Sequence, residues 1–222
     1  MLFRSGLNFN FIRDIAPVAG LVRTPNVMEV TASLPVKTVA EFIAYCKANP
    51  GKLNMASSGS GTSVHLSGEL FKSMTGCDML HVPYKGAGPA LVDLMGGQVH
   101  VLFDNLPSSA GHIKSGRLRA LAVTSDAREP SLPQVPTVSE TVAGYEATAW
   151  FGVGMPKGTP RDIIDKVNAE INRALADPKM RERLAELGGK PIVGTPDDFG
   201  KVIAAETAKW EKVVNASGAK VE

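Results

Sequence analysis

Residues 55–71, MASSGSGTSVHLSGELF, decide how the chain reads. Five Ser or Thr and two Gly precede His65, and an apolar pattern of Val64, Leu66, Leu70, Phe71 and Met74 follows at helical spacing. Upstream, 53–58 (LNMASS) has the size and composition of a short strand. The order is strand, small polar loop, helix opening at Thr62 or Ser63. The same order recurs downstream: strands at 78–84, 99–105 and 118–125, with helical segments within 85–98 and 106–116. Strands alternating with helices predict an α/β unit with a largely parallel sheet.

Working outward, 38–53 places Val39, Phe42, Ile43 and Cys46 on one helix face, with Thr38 and Glu41 in capping-box relation. Residues 16–30 are rich in β-branched side chains around Pro25 and predict a strand, a break and a second strand. Residues 126–160 are rich in Pro and Gly, with a strand near 147–154, and form a return connection. Helices follow at 160–177, 179–188 and 195–218, the last capped by Thr195 with Asp198. Two chain crossings divide the molecule into a complete α/β lobe at 29–125, the second domain, and a remainder. That remainder, 1–28 and 126–222, holds the first lobe, the hinge strands and the C-terminal helices. It is short of strands for its helices, so the first lobe is expected to be incomplete.

Composition removes several functions. Lys and Arg total 24 against 22 Asp and Glu, and the net charge of +2 is spread without a basic block, which argues against nucleic acid. Mixed-sign runs such as KMRERLAELGGK (179–190) read as a solvated helix face. No apolar run has the length of a membrane-spanning helix, and MLFRSGLNFNFIRD lacks the apolar centre of a secretory signal. Cys46 and Cys77 show no zinc spacing and read as buried thiols, a disulfide between them being the lesser alternative. His65, His81, His100 and His112 lie in separate elements without ligand spacing, so neither a metal nor a cofactor is expected.

The Ser-rich loop admits three chemistries. A nucleophile at Ser58 or Ser60 with His65 or His81 as base would make a small serine esterase. However, Gly59-Ser60-Gly61 is too short for the G-x-S-x-G elbow. A phosphate loop needs Lys before Ser/Thr, and Thr62-Ser63 follow Gly61 directly. The third reading is a helix N-terminus whose amides and hydroxyls receive an anion, a carboxylate in particular. Against it stands the plain alternative that these residues only turn the chain and cap a helix. Other strand ends fit a cleft wall: Tyr84 before a glycine turn, Asp104 after strand 99–103, and Trp150 and Phe151 on the exit crossing. Each also has an ordinary role, as a surface aromatic, a helix cap or hinge filling.

The blocks RDIAPVAGLVRTPNVMEV, PGKLNMASSGSGTSVHLSGELFKSMTG, HVPYKGAGPALVDLMGGQVHVLFDNLPSSAGHIKSGRLRALAVTS, LPQVPTVSE and WFGVGMPKGTP together resemble the Bug family of extracytoplasmic solute receptors. These are the substrate-binding components of tripartite tricarboxylate transporters. The resemblance runs from about Asp14 to the C-terminus. It implies a type II periplasmic binding protein fold, two α/β lobes joined by two crossing strands and closing on a small carboxylate. The solute would be a di- or tricarboxylate, an acidic amino acid or an aromatic acid, passed to a membrane permease without catalysis. Residues carried over as ligand-binding are Ser57, Ser58, Gly59, Gly61, Thr62, Ser63, Asp104, Trp150 and Phe151, to which the strand-end reading adds Tyr84. A periplasmic location is implied as well. The family's signal peptide and its first strand with a glycine-rich loop have no counterpart here, so the resemblance implies an N-terminal truncation. Residues 2–5, LFRS, equal a translation of CTC-TTC-CGA-TCT, common in sequencing adapters, which suggests a foreign start.

Overall fold

The computed structural model describes residues 8–217, so the start at residues 2–5 lies outside the described residues. A four-residue helix, α1 (Phe11–Asp14), leads into β1 (Ile15–Thr31), a single strand of 17 residues. The break expected at Pro25 does not occur. Instead β1 changes partners there, because proline has no N–H to give to a ladder. Ile15–Pro25 pair antiparallel with the strand Thr148–Pro156 (β6 below), and from Asn26 onward β1 pairs with two strands of the other lobe.

That lobe alternates strictly: α2 (Val39–Ala48), β2 (Leu53–Ser57), α3 (Ser63–Thr75), β3 (Met79–Pro83), α4 (Ala87–Met95), β4 (Val101–Asn105), α5 (Leu106–Lys114) and β5 (Leu118–Val123). The strand order is β3-β2-β4-β1-β5. β2 runs parallel to β3 and β4, while β1 runs antiparallel to both β4 and β5, so the sheet is mixed and β1 alone opposes the rest. The reversal means that α2 does not serve as a βαβ crossover between β1 and β2, which would have left those two strands parallel.

Helix boundaries follow their caps. The Thr62 hydroxyl accepts the His65 amide at the start of α3, and Gly76 closes that helix at φ 71°, a conformation that favours glycine. Thr38 caps α2 through the Glu41 amide, but the Glu41 carboxylate takes the Lys37 amide instead, so only half of the expected capping box forms. One sheet face packs Phe42, Phe71, Phe103 and Tyr145, with Met28 and Met55 between them. Phe71 sits at the centre, with ring centroids 5.4 Å from Phe103, 6.0 Å from Phe42 and 6.2 Å from Tyr145. Leu91, Leu94 and Leu102 fill the opposite face. Cys46 and Cys77 are both buried free thiols, and burial followed by the adjoining Cys77 pushes the Cys46 thiol up to about 12.

The remaining strands are β6 (Thr148–Pro156) and the two-residue β7 (Lys190–Pro191), both antiparallel to β1. Around them lie α6 (Arg161–Ala176), α7 (Pro178–Glu186) and α8 (Pro196–Ser217). Their core is small, built on Val18, Ala19 and Ile164. α8 reaches across to α3, and its Trp210 is buried in the larger core of the other lobe. Thr195 and Asp198 exchange hydrogen bonds at the start of α8, as the sequence predicts.

Candidate functional site

Where β2 meets α3 the backbone turns sharply, and Gly59 and Gly61 supply the positive φ values of 129° and 76° that the turn requires. Thr62 then holds the loop shut. Its hydroxyl donates to the Gly59 carbonyl at 2.7 Å, and the Gly61 amide donates to His65 Nδ1 at 3.1 Å. The first amides of α3 lack partners within the helix, and the positive end of the helix dipole lies here. They open on a cavity of about 370 Å³.

The cavity has two unlike walls. Ser58, Gly61, Thr62 and Ser63 from the loop, with Asn105 from the end of β4, form a polar rim. Facing it are Thr148, Ala149, Trp150 and Phe151 of β6, Trp210 of α8 and Phe11 of α1, with Leu66 beneath. Of the residues expected from sequence, Ser58, Gly61, Thr62, Ser63, Trp150 and Phe151 are therefore brought together.

Four expected residues lie elsewhere. Ser57 is fully buried behind the loop, its hydroxyl 2.6 Å from His81 Nε2 and accepting the Gly59 amide at 3.2 Å. Gly59 serves the turn itself. Tyr84 donates to Asp93 Oδ2 at 2.7 Å, and burial and that carboxylate push its phenol up to about 12. Asp104 points away because side chains alternate along a strand: Phe103 and Asn105 face α3, and Asp104 faces α5. There it shares the Ser109 hydroxyl with Glu29, at 3.1 Å and 2.7 Å. Both carboxyls are buried and shifted upward, chiefly by desolvation. Leu66, Thr148, Ala149, Phe11 and Trp210 line the cavity without having been expected there, and Asn105 takes the place at the strand end for which Asp104 had been chosen as the site residue. Only Asn105 had a signal, its place beside Asp104 at a strand end.

A buried chain of amides and hydroxyls fixes the polar rim. Asn26, the residue at which β1 changes partners, is fully buried and donates from Nδ2 to Ser67 Oγ at 2.9 Å. Its Oδ1 accepts from Asn105 Nδ2 at 2.5 Å, and Asn105 Nδ2 also reaches Ser63 Oγ at 3.4 Å. Ser67 donates to the Ser63 carbonyl at 2.7 Å. The main chain of Asn26 is paired with Thr124, whose amide and hydroxyl both donate to the Asn26 carbonyl at 2.9 Å. The rim is thus anchored where the two connections between the lobes meet.

Behind the loop His65 and His81 stack with centroids 3.7 Å apart and planes 10° from parallel. Burial, and then His65, lower the His81 pKa to about 4. His65 Nε2 lies 3.5 Å from Glu69 Oε1, which also receives Lys72 at 2.9 Å. Both imidazoles are therefore committed to Ser57, the Gly61 amide and Glu69. The esterase alternative finds neither imidazole poised on Ser58 or Ser60. Among the described residues no group of three or more His, Cys, Asp or Glu is placed to hold a metal, and no helix is long and apolar enough to cross a membrane.

Comparison with known proteins adds the following. A family model described as "Tripartite tricarboxylate transporter family receptor" matches residues 2–219. The chain is 40% identical over 204 residues to the "UPF0065 protein in tcbD-tcbE intergenic region" of Pseudomonas sp. (strain P51), covering 91% of this chain and 61% of that protein. It is 40% identical over 217 residues to protein BugT of Bordetella pertussis, covering 96% and 66%. The chain thus spans less than two thirds of the length of these curated relatives. Among solved structures, R. palustris Rpa4515 with adipate superposes with a TM-score of 0.94 at 40% identity, covering all of this chain and 74% of that one. MatC from Rhodopseudomonas palustris with bound malate gives 0.86 at 31%, covering 96% and 74%. The periplasmic binding protein BugD gives 0.86 at 32%, covering 94% and 71%.

Proposed function

From the premise that the chain belongs to the tripartite tricarboxylate transporter receptor family, we propose that it is a periplasmic receptor that captures a small carboxylate in the cavity between its lobes. The two-lobed α/β fold is that of its relatives. The observation that carries the reading is the polar rim. The Ser63 hydroxyl and the first amides of α3, which lack partners within the helix, lie on one side of a cavity that a carboxylate can enter, while the Ser58 and Thr62 hydroxyls and the Gly61 amide hold the loop in shape. Rpa4515 and MatC, which share this fold at 40% and 31% identity, carry adipate and malate. The solute is bound, and the closed form is presented to the transporter's membrane component, with no chemical step.

A thermal-shift screen of the chain against mono-, di- and tricarboxylates tests this. A ligand at a hundred times its dissociation constant stabilises by about 2.7 kcal/mol, or roughly 5–10 °C for a chain of this size. Ser63→Ala should reduce the shift. Failure of every carboxylate to raise the melting temperature contradicts the reading.

A further inference from the structure

We propose that His65 is a positioning residue of the carboxylate rim: through Nδ1 it holds the Gly61 amide, and with it the turn that aims the start of α3 at the cavity. The inference rests on the carboxylate reading above and adds to it a buried residue behind the loop.

Thr62 is the N-cap of α3, so His65 occupies the third position of the helix. At that position a Glu or Gln closes a capping box by accepting the amide of the N-cap itself. His65 acts one residue further out. Its Nδ1 accepts the amide of Gly61, the residue before the cap, at 3.1 Å, and so fixes a residue whose φ of 76° favours glycine. An accepting Nδ1 is bare, so the ring proton sits on Nε2, toward Glu69 Oε1 at 3.5 Å. Lys72 holds that carboxylate at 2.9 Å, and Glu69 thereby selects the tautomer. His81 repeats the arrangement at the other glycine. Ser57 Oγ accepts the Gly59 amide at 3.2 Å, which leaves its hydrogen for His81 Nε2 at 2.6 Å, and the two rings stack 3.7 Å apart. Both positive-φ glycines of the turn therefore hang on imidazoles, Gly61 directly and Gly59 through Ser57. Capping alone needs none of this, because the Thr62 hydroxyl already accepts the His65 amide. What the imidazoles add is a fixed path for residues 59–61, and that path decides where Ser63 and the free amides of the first turn point. Every group involved lies between Ser57 and His81, within one lobe.

The test titrates the whole chain and three variants with adipate, succinate and citrate by calorimetry, and follows thermal unfolding of the same samples. His65→Leu removes the acceptor. His65→Gln withdraws it from Gly61 but completes a capping box with Thr62, so α3 keeps its start. His65→Asn puts a carbonyl oxygen where Nδ1 stood. The Leu and Gln variants should bind the tightest of the three acids about fivefold more weakly, the worth of one lost hydrogen bond, while the Asn variant stays within about twofold of the parent. The Gln variant should melt within about 3 °C of the parent, a split between binding and stability that mere space filling does not produce. Nitrogen NMR of the histidine-labelled parent needs no variant to fold: His65 should show a bare Nδ1 coupled to the Gly61 amide nitrogen. Equal weakening by Asn and Gln, full affinity in the Gln variant, or a protonated Nδ1 overturns this inference and leaves the carboxylate reading standing. A parent that binds none of these acids, nor any other in the thermal-shift screen, overturns the carboxylate reading and this inference with it.

Discussion

The two halves of β1 sit in different surroundings. From Asn26 to Thr31 every residue is buried, because β4 and β5 flank the strand and helices cover both faces of the sheet. From Ile15 to Arg23 most residues are partly open, with β6 on one side and only the two residues of β7 on the other. The first setting is a close-packed core able to hold donors at fixed positions. The second is a thinner assembly, tied within itself by the Arg23–Glu206 pair, that leans on the first through Trp210 of α8. The site takes its polar rim from the rigid half and its apolar wall from the dependent one.

If the halves differ in this way, core deletions should separate them most. Phe71→Ala should cost about 3–5 kcal/mol in denaturant unfolding, since it empties the centre of an aromatic cluster, while Ile164→Ala should cost about 2 kcal/mol because its cluster is small and can collapse. Equal costs would break the comparison. Next in size is Asn26→Ala, which leaves Asn105 and Ser67 without their buried partner. It should cost about 2 kcal/mol and weaken carboxylate binding, a joint effect that binding and unfolding titrations of one sample can read. A residue that merely fills space would move stability alone.

Acid should act on the rigid half. His81 has an ordinary value of 6.5 and is held near 4 in the fold, so the unfolded chain takes up its proton first. The stability it preserves is present above pH 6.5 and is lost as the pH falls toward 4, by roughly 1–2 kcal/mol once its partial exposure is allowed for. Unfolding curves for the parent and His81→Gln across that window should converge if this histidine is responsible. The smallest expected effect is that of Thr62→Ala, about 1 kcal/mol for the lost α3 cap. It sharpens the comparison by loosening the rim while leaving the apolar wall intact.

Much of this architecture is legible in the sequence because its signals are local. Thr38, Thr62 and Thr195 mark helix starts, and the 2- and 3.6-residue periods of 53–125 separate strands from helices. What escapes is non-local. Pro25 carries the signature of a break, but the strand continues because its neighbour changes at that point. Asp104 stood at a strand end, where a polar side chain often meets ligand, yet one residue of register decides its face, and Asn105 has the inward position. Tyr84 was drawn away by an aspartate nine residues on. Nothing within the α8 sequence distinguishes Trp210 from any other apolar position on an amphipathic helix. Its place in the cavity depends on α8 crossing to α3, which only the assembled fold shows.

The central claim is that a carboxylate docks on the rim between β2 and α3, facing the aromatic wall. The most direct measurement is a map of amide and indole NMR shifts as the carboxylate giving the largest thermal shift, or adipate if none does, is added to the isotope-labelled chain. The account predicts perturbations concentrated at Ser58–Leu66, Asn105 and the indoles of Trp150 and Trp210. Shifts centred on Tyr84 or Asp104, or none at all, would contradict it.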